Sequence, residues 1–398
     1  MRSNRSSGTK WLVLFALLWA SVSAPLNQFK VPPVLPILME TFHLSGTRAG
    51  LLMSLFAATG LVVAIPAGLI LQRLGYRASG LSAVASVMAG SMMGALSHGP
   101  AMLLVSRVIE GLGMTLLAVL APALIALWFP ANQRGAAIGI WATWLPVGAI
   151  TMFLVAPSLV LRWNWQAVWW FGFLFAAVGW VLFFLFVTPP DGSAVSPSDP
   201  PAHAQPTGRD LASVLGNRDL WLISLLFFCF TFCANVFGTW LPSFLHLAHG
   251  IDLNKSSYLS ATLPFLFMLM GPLSGWVSDR TGSKRILCLA PMCVSILLCP
   301  LAALIQSEHV LIFLITLGCV LGFVPTCVFL AGAATVRDDR LRGLAMSALV
   351  VGLDMGMLLG PPYFGWVVES TGEWGLGFWA LVPFAIVGTL AIKLTKGR

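Results

Sequence analysis

Four ionisable residues stand inside long apolar runs of this 398-residue chain: Lys30, Arg107, Glu110 and Asp354. A charged side chain near the centre of a bilayer costs roughly 2.5 to 3.5 kcal/mol on insertion scales, so those that persist are candidates for function. Arg107 and Glu110 are three residues apart, which on a helix puts them on one face and lets them pair. The pair either packs its helix against neighbours or works as a proton-coupled latch, in which a protonated Glu110 lets go of Arg107. Lys30 lies beside Asn27 and Gln28, so an anion there would meet a cation and two amides. Its alternative role is structural, with the stem reaching an interface and the ammonium in water. Asp354 has no basic residue within a helical turn and is either a proton-coupling carboxyl or half of an ion pair to Lys30 or Arg107 on another helix. Asn235, seven residues before Pro242, is the second-half counterpart of this polar group.

The elements that hold these residues must be membrane helices. Hydrophobic residues make up 58% of the chain and charged ones 9%, with a mean hydropathy of +0.90, a composition suited to lipid rather than water. A span needs roughly 20 apolar residues, and twelve runs qualify: 11–38, 49–71, 79–97, 101–128, 135–161, 167–188, 220–245, 256–277, 286–305, 310–335, 344–368 and 376–392. They are read as helices because lipid offers no partner to a free backbone amide, and barrel strands would alternate and be half as long. Pro32, Pro33 and Pro36 interrupt the first run just after Lys30, freeing carbonyls that a cavity or a neighbouring helix must satisfy. Ser21-Val22-Ser23-Ala24 has the small residues of a signal-peptidase site, but Pro25 follows directly and the apolar run resumes. An uncleaved first helix is expected.

The twelve runs form two sets of six. Arg73 and Gly75, in Gly68-Leu-Ile-Leu-Gln-Arg-Leu-Gly-Tyr-Arg77, recur as Arg280 and Gly282 at an offset of 207; Arg134-Gly135 recurs as Arg342-Gly343 at 208, and Pro36 as Pro242 at 206. A near-constant offset at three places indicates duplication, the mark of carriers that hold their ligand between two halves. Residues 189–219 are the one long polar stretch and have linker composition at their front. The expected organisation is an N-terminal six-helix bundle over 1–188, a linker over 189–219 and a C-terminal six-helix bundle over 220–398. With the N-terminus cytoplasmic, 17 Lys and Arg residues fall on the inner side and 3 on the outer, which puts both termini inside. The same bias accounts for the net charge of +8 and the pI near 9.4 with no nucleic acid as partner; membrane lipid of anionic character is the expected counter-charge.

Other chemistries find little support. The seven cysteines, 229, 233, 288, 293, 299, 319 and 327, form no Cys-x-x-Cys pair and read as small apolar fillers. All six histidines fall in loops or at span ends, and His246 and His249 have a helical metal-pair spacing with no further ligand. Neither a metal nor a cofactor is expected. No Gly-x-x-x-x-Gly-Lys-Ser/Thr loop is present, which argues against ATP-driven pumping, and no nucleophile with its base stands at membrane depth, so an enzyme is not expected.

Six plus six spans, a central linker and the loop Gly275-Trp-Val-Ser-Asp279-Arg280-Thr-Gly282-Ser-Lys284-Arg285 together resemble the major facilitator superfamily over nearly the whole chain. The resemblance implies an all-α membrane protein of twelve transmembrane helices in two pseudo-symmetric six-helix bundles. It also implies that Gly275, Asp279, Arg280 and Gly282, with Arg73 and Gly75 in the first copy, form a conformational gating loop. The first copy departs from the pattern, since Gln72 stands where the family usually has Asp. Arg107, Gly111 and Gly113 resemble the fourth-span motif Arg-x-x-x-Gly-x-Gly, with Glu110 beside it. The proton-antiporter signature of span five is absent, because the stretch reads Gly139-Ile-Trp-Ala-Thr-Trp-Leu-Pro146-Val-Gly148. Thr239-Trp240-Leu241-Pro242, Trp128-Phe129-Pro130 and Trp163-Asn164-Trp165 resemble the branch of cyanate and nitroimidazole-type permeases and organic-anion symporters, which adds Thr239 and Trp240 to Asn27, Gln28, Lys30 and Asn235 as substrate contacts. Gly352, Gly356 and Gly360-Pro361 form a small-residue string that helix packing explains.

The function expected is that of a monomeric multi-pass carrier of the inner (plasma) membrane, moving a small organic acid or cyanate-like anion together with protons by alternating access. Lys30 decides for an anion. Glu110, Arg107 and Asp354 are the proton-coupling candidates. Export of an amphipathic compound, suited to the many aromatic residues, is the alternative; a non-transporting sensor would carry a long soluble segment.

Overall fold

The computed structural model describes residues 7–187, 216–281, 284–336 and 342–395. These are helical nearly throughout, with no strand among the described residues. The helices are α1 (Ser7–Gln28), α2 (Leu35–Phe42), α3 (Gly46–Ala95), α4 (Pro100–Trp128), α5 (Ala131–Trp141), α6 (Trp144–Arg162) and α7 (Gln166–Phe186), then α8 (Arg218–Leu247), α9 (Leu253–Ser260), α10 (Thr262–Thr281), α11 (Lys284–Leu301), α12 (Val310–Gly322), α13 (Val324–Ala334), α14 (Arg342–Thr371), α15 (Trp374–Trp379) and α16 (Val382–Leu394). Several are consecutive pieces of one span, and prolines explain where the pieces join. Pro146, Pro264, Pro325 and Pro383 stand in the first turn of α6, α10, α13 and α16. A proline lacks the amide that would bond four residues back and its ring crowds that carbonyl, but at the start of a segment it costs nothing.

Twelve helices are long and apolar enough to cross a membrane, six from Thr9 to Phe186 and six from Arg218 to Leu394. The first runs from Thr9 to Phe42, beyond the expected end at 38, because the prolines bend it through a 3-10 turn at Pro32–Val34 without ending it. The second and third are one continuous element, α3, that turns at Gly75, where φ is 74° and ψ 168°. That backbone conformation excludes most side chains, which is the physical reason for a glycine there. Most of the expected linker lies outside the described residues.

Contacts between Cα atoms divide the chain into two units, Met1–Ile37 with Ala58–Pro197, and Leu38–Ala57 with Ser198–Arg398. In the first, α1 runs along α4, α6 and α7, burying Val13, Leu17, Ala20, Val84, Leu117, Leu124 and Phe183. In the second, α8 packs on α14 and α16. The small-residue string of α14 meets α8 closely: a Cβ added at Gly356 would lie 2.5 Å from the Phe228 carbonyl oxygen and 2.8 Å from the Phe232 nitrogen, so packing alone accounts for these glycines. Away from these seams large aliphatic side chains face outward, Leu161 and Leu304 being 72% exposed, as a lipid-facing surface requires.

Candidate functional site

The site in the first unit begins with the break in α1. Pro32 cannot donate to the Gln28 carbonyl, so the last turn of the helix ends with unsatisfied acceptors and a negative dipole end. Arg107, reaching across from α4, supplies what is missing: Nη1 donates to the Asn27 carbonyl at 2.8 Å and Nη2 to the Gln28 carbonyl at 2.9 Å. The guanidinium thus caps a helix C-terminus from outside, by hydrogen bonds and by charge. Its Nη1 also pairs with Glu110 Oε2, one turn further along α4.

Lys30 follows the break and its ammonium turns inward. It donates all three protons within the protein, to Glu110 Oε1 at 2.5 Å, Asn27 Oδ1 at 2.9 Å and Ser91 Oγ at 2.9 Å. The Trp169 ring, 4.7 Å from Nζ, closes the remaining side with a cation–π contact. Asn27 is held by donation to the Ser23 and Gly172 carbonyls at 2.8 and 3.3 Å. Ser91 Oγ, besides accepting from Lys30, lies 2.7 Å from the Trp169 carbonyl oxygen and 3.0 Å from Asn27 Oδ1. Lys30, Arg107, Glu110, Asn27 and Ser91 are all fully buried. Glu110 serves two cations at once, so the three charged groups sum to one positive charge in a low-dielectric place. Such a group is stable while every member is bonded and costly when one is removed.

Close approach makes this possible. A Cβ at Gly90 would lie 2.6 Å from Glu110 Cγ, 2.7 Å from the Ser106 carbonyl oxygen and 2.9 Å from the Glu110 nitrogen, distances that no packed core tolerates. Gly90→Ala should therefore push α3 away from α4 at the level of Glu110 and destabilise by about 1–3 kcal/mol. A lowered unfolding midpoint in detergent checks this; an unchanged midpoint would mean the helices are not pressed together here.

The expected residues of the second unit are not gathered into a comparable network. Asn235 and Asp354 are half-buried, and their side chains make no hydrogen bond or ion pair among the described residues. Thr239 Oγ1 is buried without a partner, as is Ser243 Oγ one turn on. Trp240 is 2% exposed and donates its indole N–H to the Pro361 carbonyl at 2.9 Å. A cavity of ≈ 410 Å³ lies elsewhere in this unit, walled by Phe228, Phe232, Tyr363, Trp366 and Phe384. In the loops, Arg73 and Arg280 are exposed, the Arg280 guanidinium 4.1 Å from the Trp276 ring, and Gly275 sits 3.9 Å from the Thr326 methyl. Gly282 and the Asp279 side chain lie outside what is described. In the first unit, Gln28 gives its carbonyl to Arg107 while its Oε1 is buried and unpartnered.

Sequence reading missed Ser91 and Trp169. A serine in a run of small residues and a tryptophan in an apolar helix are too common to stand out; the one available signal was that a buried ammonium needs three acceptors.

Comparison with known proteins agrees with this architecture. The model of the Major Facilitator Superfamily matches residues 17–341 and 269–397. The hexuronate transporter of Bacillus subtilis is 22% identical over 405 residues, covering 97% of this chain and 94% of that protein. The probable sulfoacetate transporter of Cupriavidus necator is 24% identical over 429 residues, covering 96% and 93%. The probable L-galactonate transporter of Escherichia coli is 27% identical over 290 residues, covering 70% and 63%. Among solved structures, a bacterial homolog of the human lysosomal transporter Spinster, inward-facing and unoccupied, aligns with a TM-score of 0.84 over 98% of this chain and 97% of that one at 17% identity, a likeness of fold. With a family model matched along almost its full length and twelve membrane-length helices in two sets of six, the chain belongs to the Major Facilitator Superfamily.

Proposed function

We propose that this protein is a proton-coupled carrier of small organic anions in the cytoplasmic membrane, built as six-helix bundles over 1–188 and 220–398 with both termini inside, and working as a monomer by alternating access. The observation that carries the reading is the sharing of Glu110 between Lys30 and Arg107. A proton on Glu110 removes the negative charge that holds the Lys30 ammonium, and a substrate carboxylate or sulfonate can then take its place. Anion and proton enter together because each makes room for the other, a coupling that is reciprocal by linkage. The names of the relatives, transporters of hexuronate, L-galactonate and sulfoacetate, support a substrate with one carboxylate or sulfonate on a small polar body. Asn27 and Gln28, with Asn235, Thr239 and Trp240, are the proposed further contacts, and Asp354 a second proton-carrying carboxyl. The loop of Gly275, Asp279, Arg280 and Gly282, with Arg73 and Gly75, is the proposed gate.

Proteoliposomes holding the purified chain should take up labelled glucuronate, galactonate or sulfoacetate faster with an acidic exterior than at equal pH, and a protonophore should remove the difference. Uptake indifferent to the gradient would overturn the coupling. The aromatic cavity of the second unit favours a second reading, export of an amphipathic compound; on that reading sugar acids would not be taken up and an amphipathic dye would be expelled.

A further inference from the structure

At one end of the first unit two cations converge on one residue, Phe129, Lys10 at its ring and Arg134 at its carbonyl. Lys10 Nζ lies 6.0 Å from the centroid of the Phe129 ring and donates to Gln133 Oε1 at 2.6 Å. Arg134 Nε donates to the carbonyl of the same Phe129 at 2.9 Å. Lys10 is half-buried and Arg134 exposed, and each stands within three residues of the start of a membrane-length helix, Thr9–Phe42 and Asn132–Arg162. The site is therefore at the boundary between lipid and water. Trp11 meets the Phe129 ring edge-on at 5.2 Å, and Trp11 and Phe15, one turn apart on α1, are 41% and 49% exposed.

Among the described residues of this unit no free carboxylate answers the charge. Glu40 and Glu110 are the acidic residues between 7 and 187; Glu40 falls in the other unit, and Glu110 is buried with Lys30 and Arg107. Neither Lys10 nor Arg134 makes an ion pair among the described residues. With Nε engaged, Arg134 keeps its terminal nitrogens for a ligand, the geometry that holds a phosphate in a fork, and Lys10 keeps two protons. We propose that this is a binding site for one anionic phospholipid, its phosphate between Lys10 and Arg134 and its acyl chains along Trp11 and Phe15. A basic pocket between helix ends at the membrane surface suits such a headgroup. A zwitterionic lipid offers the same phosphate but brings its own cation, and free phosphate brings no chains.

The test titrates the full-length protein in neutral detergent with phosphatidylglycerol, phosphatidylcholine and inorganic phosphate, following bound lipid by native mass spectrometry and the unfolding midpoint. Phosphatidylglycerol should bind one per chain and raise the midpoint more than the other two. Lys10→Gln with Arg134→Gln should weaken it about thirtyfold, two surface charges at roughly 1 kcal/mol each. Lys10→Arg with Arg134→Lys keeps the charge and should keep most of the affinity, which separates lost charge from lost folding. Trp11→Ala with Phe15→Ala should weaken the lipid and leave phosphate unaffected. Equal binding of phosphatidylglycerol by the double Gln variant, or of phosphatidylcholine by the unchanged protein, would overturn the site. So would a midpoint shift by phosphate alone as large as that by the lipid, which would make it a soluble-anion site.

Discussion

Glu110→Gln should abolish proton-driven uptake while leaving exchange of substrate across the membrane without a gradient. The amide keeps the size of the side chain and one acceptor, but it cannot take up and release a proton in the working range. It also removes the carboxylate that both Lys30 and Arg107 face in a fully buried place. Removing one partner from a buried ion pair costs about 3–5 kcal/mol, so a clear fall in the unfolding midpoint should accompany the loss of coupling. The two effects are separable. In a Lys30→Gln background the same substitution should cost less stability, because one of the stranded charges is already gone, and a double-mutant cycle measures that difference. Gradient-driven uptake at the original rate in a folded Glu110→Gln protein would show that protons enter elsewhere, with Asp354 the remaining carboxyl at membrane depth.

Lys30→Gln carries the other large expected effect, on affinity. Hydrogen bonds to charged groups contribute about 1.5–3 kcal/mol, so an anionic substrate that replaces Glu110 at the ammonium should bind roughly 10- to 150-fold more weakly. Glutamine also has two protons where the three acceptors Glu110, Asn27 and Ser91 now receive three. Lys30→Arg should keep part of the affinity: the charge persists, but a planar fork does not fit a place shaped around a compact ammonium beside Trp169. Equilibrium binding of labelled substrate to detergent-solubilised protein measures both. If the glutamine variant binds as well as the original, the ligand is not an anion held by Lys30, and the export reading gains.

What the chain determines by itself is what depends on neighbours in sequence. Apolar length sets the twelve spans, because lipid forces each run to satisfy its own amides. Proline chemistry sets where α1 breaks and where α6, α10, α13 and α16 begin, since a missing N–H needs no partner to be missing. The spacing of Arg107 and Glu110 puts them on one face for the same local reason. The fate of the freed carbonyls was not legible, nor was the choice for Lys30 between an interface and the interior. Those depend on which helices lie beside α1 and how they are turned about their axes, a matter of packing summed over many side chains. Packing brings Glu110 to Lys30 from 80 residues away and Ser91 from 61, and it presses Gly90 against α4 closely enough for the carboxylate to reach. Asp354 illustrates the converse. Its isolation within α14 could be read from the sequence, but whether another helix would bring it a cation could not, and among the described residues none does.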